Sequence, residues 1–527
     1  MNAEVLVLHF ERVADAPDAM DRFRKFVLDL AIHGRLVAQD PRDDHVTDLL
    51  RQIEAFKGRL LGGPEKARVA KISPLAEAEV PFPLPTSWVW ARFGDLVLSR
   101  DSERVPVSKE DRSSRAKLFD YYGASGAIDK IDSYLFDKPL LLIGEDGANL
   151  VNRSTPIAFI ARGRYWVNNH AHVLDGVSEE FLRFLELYIN AIDLVPYVTG
   201  TAQPKMNQAK MNSIPVALPP LAEQHRIVAK VDELMALCDR LEVARAEREV
   251  WRDRLAAASL ARLNAPHPES FADDARFSLD ALPALTARAG QMRSLRDTVC
   301  RMALLGQFSD VERWPTTPSH LRDFVRLQSG YAFKSEWFGP KGVRLLRNAN
   351  VAHGRVNWAD EAFLPHELCK GYERFMLNVG DLVLSLNRPF IATGTKVAQV
   401  RDSDLPALLV QRVARLEIAE TLSHDYLLLW LQCSLFQEQV QPVSTNVAPH
   451  IAPADIGRAQ IFVPDIDEQR RVVDKAKELI ALCDQLEDSL QSTAVHRSRL
   501  LEVLLRNAVE SGHRADAPAR VHEVTAA

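Results

Sequence analysis

PPLAEQHRIVAKVDELMALCDRLE at 219–242 returns 245 residues later as PDIDEQRRVVDKAKELIALCDQLE at 464–487. At that offset about fourteen of the twenty-four positions are identical, among them Pro219/Pro464, Glu223/Glu468, Gln224/Gln469, Arg226/Arg471 and the Ala-Leu-Cys-Asp run. Self-similarity at a fixed offset marks a duplicated structural unit. Apolar residues step by four and three in each copy: Ile227, Val231, Leu234, Cys238 and Leu241, then Val472, Ala476, Leu479, Cys483, Leu486 and Leu490. That spacing lays one apolar stripe along a helix and predicts packing on a partner helix. A helix over 221–263 would run to about 64 Å at the α-helical rise. Two such helices suit an antiparallel, coiled-coil-like pair that separates two globular parts with internal pseudo-twofold duplication.

A second repeat lies elsewhere. FRKFVLDLAIHGRL (23–36) matches LRDTVCRMALLGQF (295–308), sharing Arg24/Arg296, Val27/Val299, Ala31/Ala303 and Gly34/Gly306. Each copy ends at a glycine, the residue that closes helices most readily. The chain therefore reads helix, variable region, long helix, and then the same again. The variable regions begin near PFPLPTSWVWARFGDLV (81–97) and RWPTTPSHLRDFVRLQSGYAF (313–333). Short apolar runs such as PLLLIG (139–144), TPIAFIA (155–161) and GDLVLSL (380–386) predict strands joined by turns. EEFLRFLELYIN (179–190) and HDYLLLWLQCSLFQEQV (424–440) predict a helix late in each region. The expected class is α+β. Its parts are an N-terminal helical segment (1–80), a first recognition-type domain (81–218), a central helical region (219–312), a second domain (313–464), a C-terminal long helix (465–510) and a disordered tail (511–527). The N-terminal helix, about 16–34, is expected to pack near the C-terminal long helix.

Bulk composition agrees with a protein of several domains. The chain has 527 residues, 47% of them apolar and 26% charged. Its start, MNAEVLVLHFERVADAPD, resembles neither a signal peptide nor a membrane span, and no later apolar run is long enough to cross a bilayer. Five scattered cysteines (Cys238, Cys300, Cys369, Cys433, Cys483) with no CxxC pair suit a reducing cytoplasm and supply no zinc framework. Net charge is −6, yet segment 81–218 comes to about −1 and segment 314–464 to about +1. The acidic excess therefore lies in the helical parts, and local basic clusters on the domains leave DNA binding open.

The order and duplication of these parts resemble the specificity (S) subunit of type I restriction-modification systems. PVALPPLAEQHRIV and FVPDIDEQRRVV resemble the end of each target-recognition domain in that family. YYGASGAIDKIDSYLFDKPLLLIGEDGANL (121–150), WVNNHAHVL (166–174) and TGTAQPKMNQAKMNSIPV (199–216) are similar to the body of such a domain, as are LQSGYAFKSEWF (327–338) and GDLVLSLNRPFIATG (380–394). The resemblance covers about 12–505 and rests on motif order together with duplication. It implies two target-recognition domains, each reading one half of a split, asymmetric double-stranded DNA site, with the helices fixing the spacing. It also implies two docked methylase (M) subunits that methylate adenine with S-adenosylmethionine. Motor/nuclease (R) subunits using ATP and magnesium would join through that core. The chain itself would hold no cofactor and catalyse nothing.

Sequence readout needs donors and acceptors on base edges, with phosphate contacts setting the register. In the first domain Tyr121 and Tyr122 flank a turn that brings backbone close to a partner. Gln203, Lys205, Asn207, Gln208 and Lys210 form a polar, basic loop too rich in hydrogen-bonding groups to be buried. In the second, Arg347, Asn348, Asn350 and Arg355 lie in LLRNANVAHGRVNW (345–358); arginine suits guanine and asparagine suits adenine. Lys334, Lys341 and Arg344 are placed to hold phosphates, and Arg388 is a further DNA-binding candidate. Glu223, Gln224, Arg226, Glu468, Gln469 and Arg471 mark the joints between domain and helix and are assigned to junction geometry or subunit docking.

Other chemistries fare worse. Asn168-Asn169-His170-Ala171-His172 alternates two imidazoles, but no further ligands accompany them and zinc needs three or four. Asn387-Arg388-Pro389-Phe390 resembles the Asn-Pro-Pro-Phe tetrapeptide of adenine methylases, with arginine in the second position and no glycine-rich loop for S-adenosylmethionine before it. No GxxxxGK[ST] marks an ATPase, and Glu145 and Asp146 lack the lysine pattern of a nuclease. A two-headed scaffold that binds protein stays open on sequence grounds.

Overall fold

The computed structural model describes residues 9–10, 12–61, 75–76, 79–200, 203–264, 270–286, 288–442 and 449–515. Two compact units emerge, one from 1–246 with 494–527 and the other from 247–493.

The first unit opens with α1 (Ala19–Ile32) and α2 (Val46–Leu61). Its head contains β1 (Val89–Arg92), β2 (Leu98–Ser99), β3 (Phe119–Gly123), β4 (Gly126–Ile131), β5 (Leu140–Gly144), β6 (Ala158–Ala161), β7 (Tyr165–Val167), β8 (Ala171–Asp175), α3 (Glu179–Ala191) and β9 (Pro215–Leu218). Four strands form an antiparallel sheet in the order β2-β8-β5-β6, and three form a second sheet, β4-β3-β7, with β3 and β7 parallel. All five residues of β5 are buried, so LLLIG shows no alternation; both its faces are covered. Ser178 caps α3, its hydroxyl accepting from the Phe181 N–H at 3.2 Å, and Phe181, Phe184, Leu185 and Tyr188 pack into the core. That core continues through Val27 and Ala31 of α1, Leu49 and Ile53 of α2, and Ile227 and Val231 of the long helix Leu221–Asn264. The entry and exit strands pair with each other, Val89 opposite Leu218 through Arg92 opposite Pro215.

The second unit repeats this plan. After α4 (Ala289–Leu304) come β10 (Ser319–His320), β11 (Val325–Ser329), β12 (Val343–Leu346), β13 (Phe363–Leu364), β14 (Leu382–Ser385), a β15–β16 hairpin (Phe390–Ile391, Gly394–Thr395), β17 (Val397–Gln399), β18 (Ala407–Leu409), β19 (Val413–Ile418) and β20 (Gln460–Ile461). The sheets run β11-β19-β14-β17 and β13-β12-β18, the latter with one parallel pair, and β10 pairs with β20. Strand for strand, this is the order of the first head. Sequence predicts one helix over 424–440. The structure has two, α5 (His424–Gln432) and α6 (Ser434–Gln439), because Cys433 is extended and the Asp297 carboxylate takes the Ser434 N–H at 2.8 Å and its hydroxyl at 2.6 Å.

Both long helices form. Leu221–Asn264 has 44 residues and Ile466–Ala515 has 50. Ile227, Val231 and Cys238 are buried on the first stripe, and Val472, Ala476 and Cys483 on the second. In the first unit Val13, Ala16, Met20 and Phe23 pack with Cys238, Leu501, Leu504 and Leu505, so the N-terminal helix does meet the C-terminal one. The shared arginines have one job twice: Arg24 binds Asp239 (2.7 Å) and Glu242 (2.6 Å), while Arg296 binds Asp484 (2.7 Å) and Glu487 (2.5 Å). Such partly exposed pairs add little stability but fix which helix faces meet.

Gly34 and Gly306 end their helices with φ of +68° and +83°. The Arg35 N–H reaches the Leu30 carbonyl (2.9 Å) and the Gln307 N–H the Met302 carbonyl (2.9 Å), closing each helix with a left-handed glycine cap. A Cβ at either glycine would strike the start of the following head, Pro85 or Trp314 at 2.6 Å. The expected disordered tail at 511–527 overlaps the last helix, which continues to Ala515; positions 516–527 lie outside the described residues. Among the described residues no helix is long and apolar enough to cross a membrane.

Candidate nucleic-acid interface

The joints between head and long helix are built from buried amides and carboxylates. Gln469 is fully buried; its Nε2 donates to the carbonyls of Thr421 (2.9 Å) and Pro464 (2.8 Å), and its Oε1 accepts from the Ser423 N–H (2.7 Å). Gln224, equally buried, donates to the Pro219 carbonyl at 2.9 Å, and its Oε1 lacks a partner among the described residues. The neighbouring glutamates differ more. Arg471 forks onto Glu468 (2.5 and 3.0 Å), and those hydrogen bonds hold the Glu468 carboxyl down at about 2. Arg226 instead turns to Asp43 (2.9 and 2.6 Å), and burial pushes the Glu223 carboxyl up. These side chains lie inside the joints. Of the two roles expected for this set, the burial of Glu223, Gln224, Glu468 and Gln469 suits junction geometry and leaves them no surface for docking, while Arg226 and Arg471 keep partly exposed guanidinium groups.

A pH dependence follows. Glu468 titrates below its ordinary value of 4.5 when folded, so its stabilisation is complete above about pH 4.5 and is lost as pH falls towards 2. The raised Glu223 acts with the opposite sign, favouring the folded state at low pH and losing that contribution as pH rises through its folded value. Glu468→Gln is expected to flatten the acid limb of the melting-midpoint profile between pH 4.5 and 2. An unchanged slope there would show that other carboxylates set it.

In the first head, three segments converge: the turn after β5, the turn before β8, and residues 199–200 with 203–207. Arg104 (2.9 Å) and Lys205 (3.1 Å) both pair with Glu145. Burial works to raise the Glu145 carboxyl, but these cations outweigh it and hold the group below its ordinary range. His170 faces Asp146 (2.8 Å), whereas His172, buried, faces Asp101 (2.6 Å) and the Met206 carbonyl (3.0 Å). The two imidazoles thus serve different carboxylates, and among the described residues no group of His, Cys, Asp or Glu is placed to hold a metal. Asn207 caps a short helix, its side chain accepting from the Lys210 N–H at 2.9 Å. Gln203, Gln208 and Lys210 are exposed, and half of Lys205 is.

Tyr121 is a correction. Its ring is buried, its hydroxyl donates to the Val107 carbonyl (3.2 Å) and accepts from the Val107 N–H (3.0 Å), and Arg112 sits over its face at 4.3 Å. The alternation of β3 turns Tyr121 into the core, whereas Tyr122 is half-buried, with Phe159 stacked at 5.7 Å.

In the second head, Asn350 is a second correction. It is fully buried and saturated, accepting from the Arg347 N–H (3.1 Å) and donating to the carbonyls of Asn357 (3.1 Å) and Asp360 (2.8 Å). It holds the loop 347–360 together from inside. Arg344 is half-buried, one nitrogen of its guanidinium donating to the Ser403 and Leu405 carbonyls (2.8 and 2.9 Å) with the group over the Trp358 ring (4.7 Å). Arg347 is tied to Asp360, at 2.7 Å to its carbonyl and 3.0 Å to its carboxylate. Lys334, Lys341, Arg355 and Arg388 remain exposed. Asn348 is half-buried, with its amide against Ser385 and Lys396. Sequence reasoning passed over Lys396, buried at the edge of an apolar strand; nothing in TGTKVAQV separates it from a solvated flanking charge.

Comparison with known proteins adds an independent line. The model of the type I restriction modification DNA specificity domain matches residues 85–248, the first head and the start of its exit helix. The type I restriction enzyme EcoAI specificity subunit of Escherichia coli is 29% identical over 564 residues, covering 93% of both chains. A putative type I restriction enzyme specificity subunit of Haemophilus influenzae is 34% identical over 149 residues, 28% of this chain and 37% of that one. A solved HsdS subunit from Thermoanaerobacter tengcongensis aligns with 81% of this chain and 98% of its own at 17% identity, with a TM-score of 0.43. A domain match on the first head, a relative matched almost end to end and a second head built in the same strand order agree with one another: the chain is similar, over nearly its whole length, to the specificity subunits of type I restriction enzymes.

Proposed function

We propose that each head reads one half of a bipartite, asymmetric site in double-stranded DNA, the long helices setting the distance between halves. One observation carries this reading: two heads of one topology expose different reading surfaces, Gln203, Lys205, Gln208 and Lys210 on one, Lys334, Lys341, Arg355 and Arg388 on the other. Equal frames with unequal contacts suit a target whose halves differ. The chain supplies specificity; two methylase subunits carrying S-adenosylmethionine and motor/nuclease subunits using ATP and magnesium supply the chemistry, in the cytoplasm where the DNA lies. The segments 81–218 and 313–464 are the two recognition domains, and the exposed parts of the helical segments are the docking ground for methylase subunits.

The test is a methylome. Mapping modified adenines in the host with the gene intact and deleted is expected to show one split, asymmetric motif that vanishes on deletion. Replacing 81–218 by the matching region of a relative should then rewrite one half-site and leave the other. A swap that changes both halves, or neither, would overturn the assignment of one head to one half.

A further inference from the structure

The two heads share more than strand order, because the turn after the central strand is held by the same backbone bonds in each. In the first head the Gly147 N–H donates to the Pro204 carbonyl (3.0 Å), the Met206 N–H to Glu145 (2.8 Å), the Gly144 N–H to Ile157 (2.9 Å) and the Glu145 N–H to His170 (2.8 Å). In the second the Arg388 N–H donates to Pro449 (2.6 Å), Ile451 to Leu386 (2.9 Å), Ser385 to Lys396 (2.9 Å) and Leu386 to Arg412 (2.8 Å). Position by position, Gly147, Ile157 and His170 of the first head correspond to Arg388, Lys396 and Arg412 of the second. Asp146, which faces His170, corresponds to Asn387.

The same frame thus carries opposite electrostatics. In the first head the turn is acidic and its charges are matched, Glu145 by Arg104 and Lys205 and Asp146 by His170. In the second the corresponding positions hold three cations, Arg388, Lys396 and Arg412, and Asn387 stands in place of Asp146. The ammonium of Lys396, a buried residue, hydrogen-bonds among the described residues only to Asn348, through the Asn348 carbonyl and its side-chain oxygen (3.3 Å). Burial and then the nearby charge of Arg388 both push its ammonium below the ordinary range.

Arg388 and Arg412 are exposed, and both hold left-handed backbone, φ +44° and +71°, where an arginine is strained; the first head has glycine, φ +105°, at the position of Arg388. Two strained arginines share this turn frame with a buried lysine, and among the described residues none of the three is in an ion pair with a carboxylate, which makes the turn a positive site for an anion.

We propose that Arg388 and Arg412, backed by Lys396 and Asn348, form a phosphate clamp that grips the DNA backbone at the second half-site, and that the first head has no counterpart. This rests on the DNA-reading function proposed above. The clamp gives the second head a larger share of the salt-dependent binding and leaves the first more dependent on base contacts.

The test uses the full-length chain as it purifies from its host, with whatever subunits it carries, and duplexes it retains from a randomised pool. Arg388→Gly and Arg412→Asn suit left-handed backbone, so the melting midpoint should stay level or rise. Arg388→Gln keeps the bulk of the side chain without its charge. Each loss should weaken binding about tenfold for every retained sequence and lower the slope of log affinity against log salt by about 0.9. Unchanged affinity and slope in the Arg388→Gly, Arg412→Asn double variant would overturn the clamp while the retained duplexes still uphold DNA reading. A loss confined to one base-pair identity would overturn it in favour of a base contact. Failure of the unaltered protein to retain any duplex would overturn the DNA-reading function and the clamp together.

Discussion

Replacing Gln469 by leucine is expected to destabilise the second unit by about 4 kcal/mol, because the change strands three groups at once. The carbonyls of Thr421 and Pro464 lose their donor and the Ser423 N–H loses its acceptor, all at a fully buried side chain, the bond to Pro464 being itself buried. An unpaired buried group costs about 1–3 kcal/mol, only part of which the added apolar contact of leucine offsets. For a unit of this size the melting midpoint should fall by about 8–16 °C. The matching Gln224→Leu should cost only about 1–2 kcal/mol, since among the described residues that amide makes one bond, to Pro219, and its oxygen already lacks a partner. Equal losses at the two sites, measured by scanning calorimetry, would mean that volume and not hydrogen bonding governs the joints.

Asn350→Ala is expected to abolish recognition at one half-site without removing a contact to DNA. The lost amide leaves the Arg347 N–H and the carbonyls of Asn357 and Asp360 unpaired, at about 3 kcal/mol, and releases the loop that carries Arg347 and Arg355. Hydrogen exchange should show protection lost across 347–360 while the strands of the β11-β19-β14-β17 sheet keep theirs. Asn350→Asp retains the acceptor for Arg347 and loses both donors, so it should open the far end of the loop, at 357–360, more than the near end. Retained binding with an exchanging loop would show that 347–360 does not read the site.

The architecture was legible because repeats and helical spacing are properties of sequence alone. Arg24 and Arg296 stood out as shared residues, and each proves to join a short helix to the same Asp and Glu of a long one. The site was legible only as a set of loops. Tyr121 and Tyr122 are adjacent and alike, yet strand alternation buries one, and a two-residue-wide motif has no phase to tell which. Asn350 looked like a base reader because a polar side chain in a turn-rich stretch serves loop-internal bonds as well as external ones. Lys396 was missed for the opposite reason. Its partners, Asn348 and Arg388, lie 48 and 8 positions away in sequence, and no local pattern announces a buried cation.

The pairing of each head's first strand with its last, β1 with β9 and β10 with β20, bears on how far a head can change in length. Entry and exit are bound side by side, so residues added inside a head enlarge a loop whose ends are already joined. The entropy of closing such a loop grows only with the logarithm of its length, at about 0.6 kcal/mol per doubling. A head could therefore gain or lose whole surface loops at small thermodynamic cost, with the helices beneath left undisturbed. Insertions and deletions, as well as substitutions, are thus an inexpensive route to new targets for this architecture.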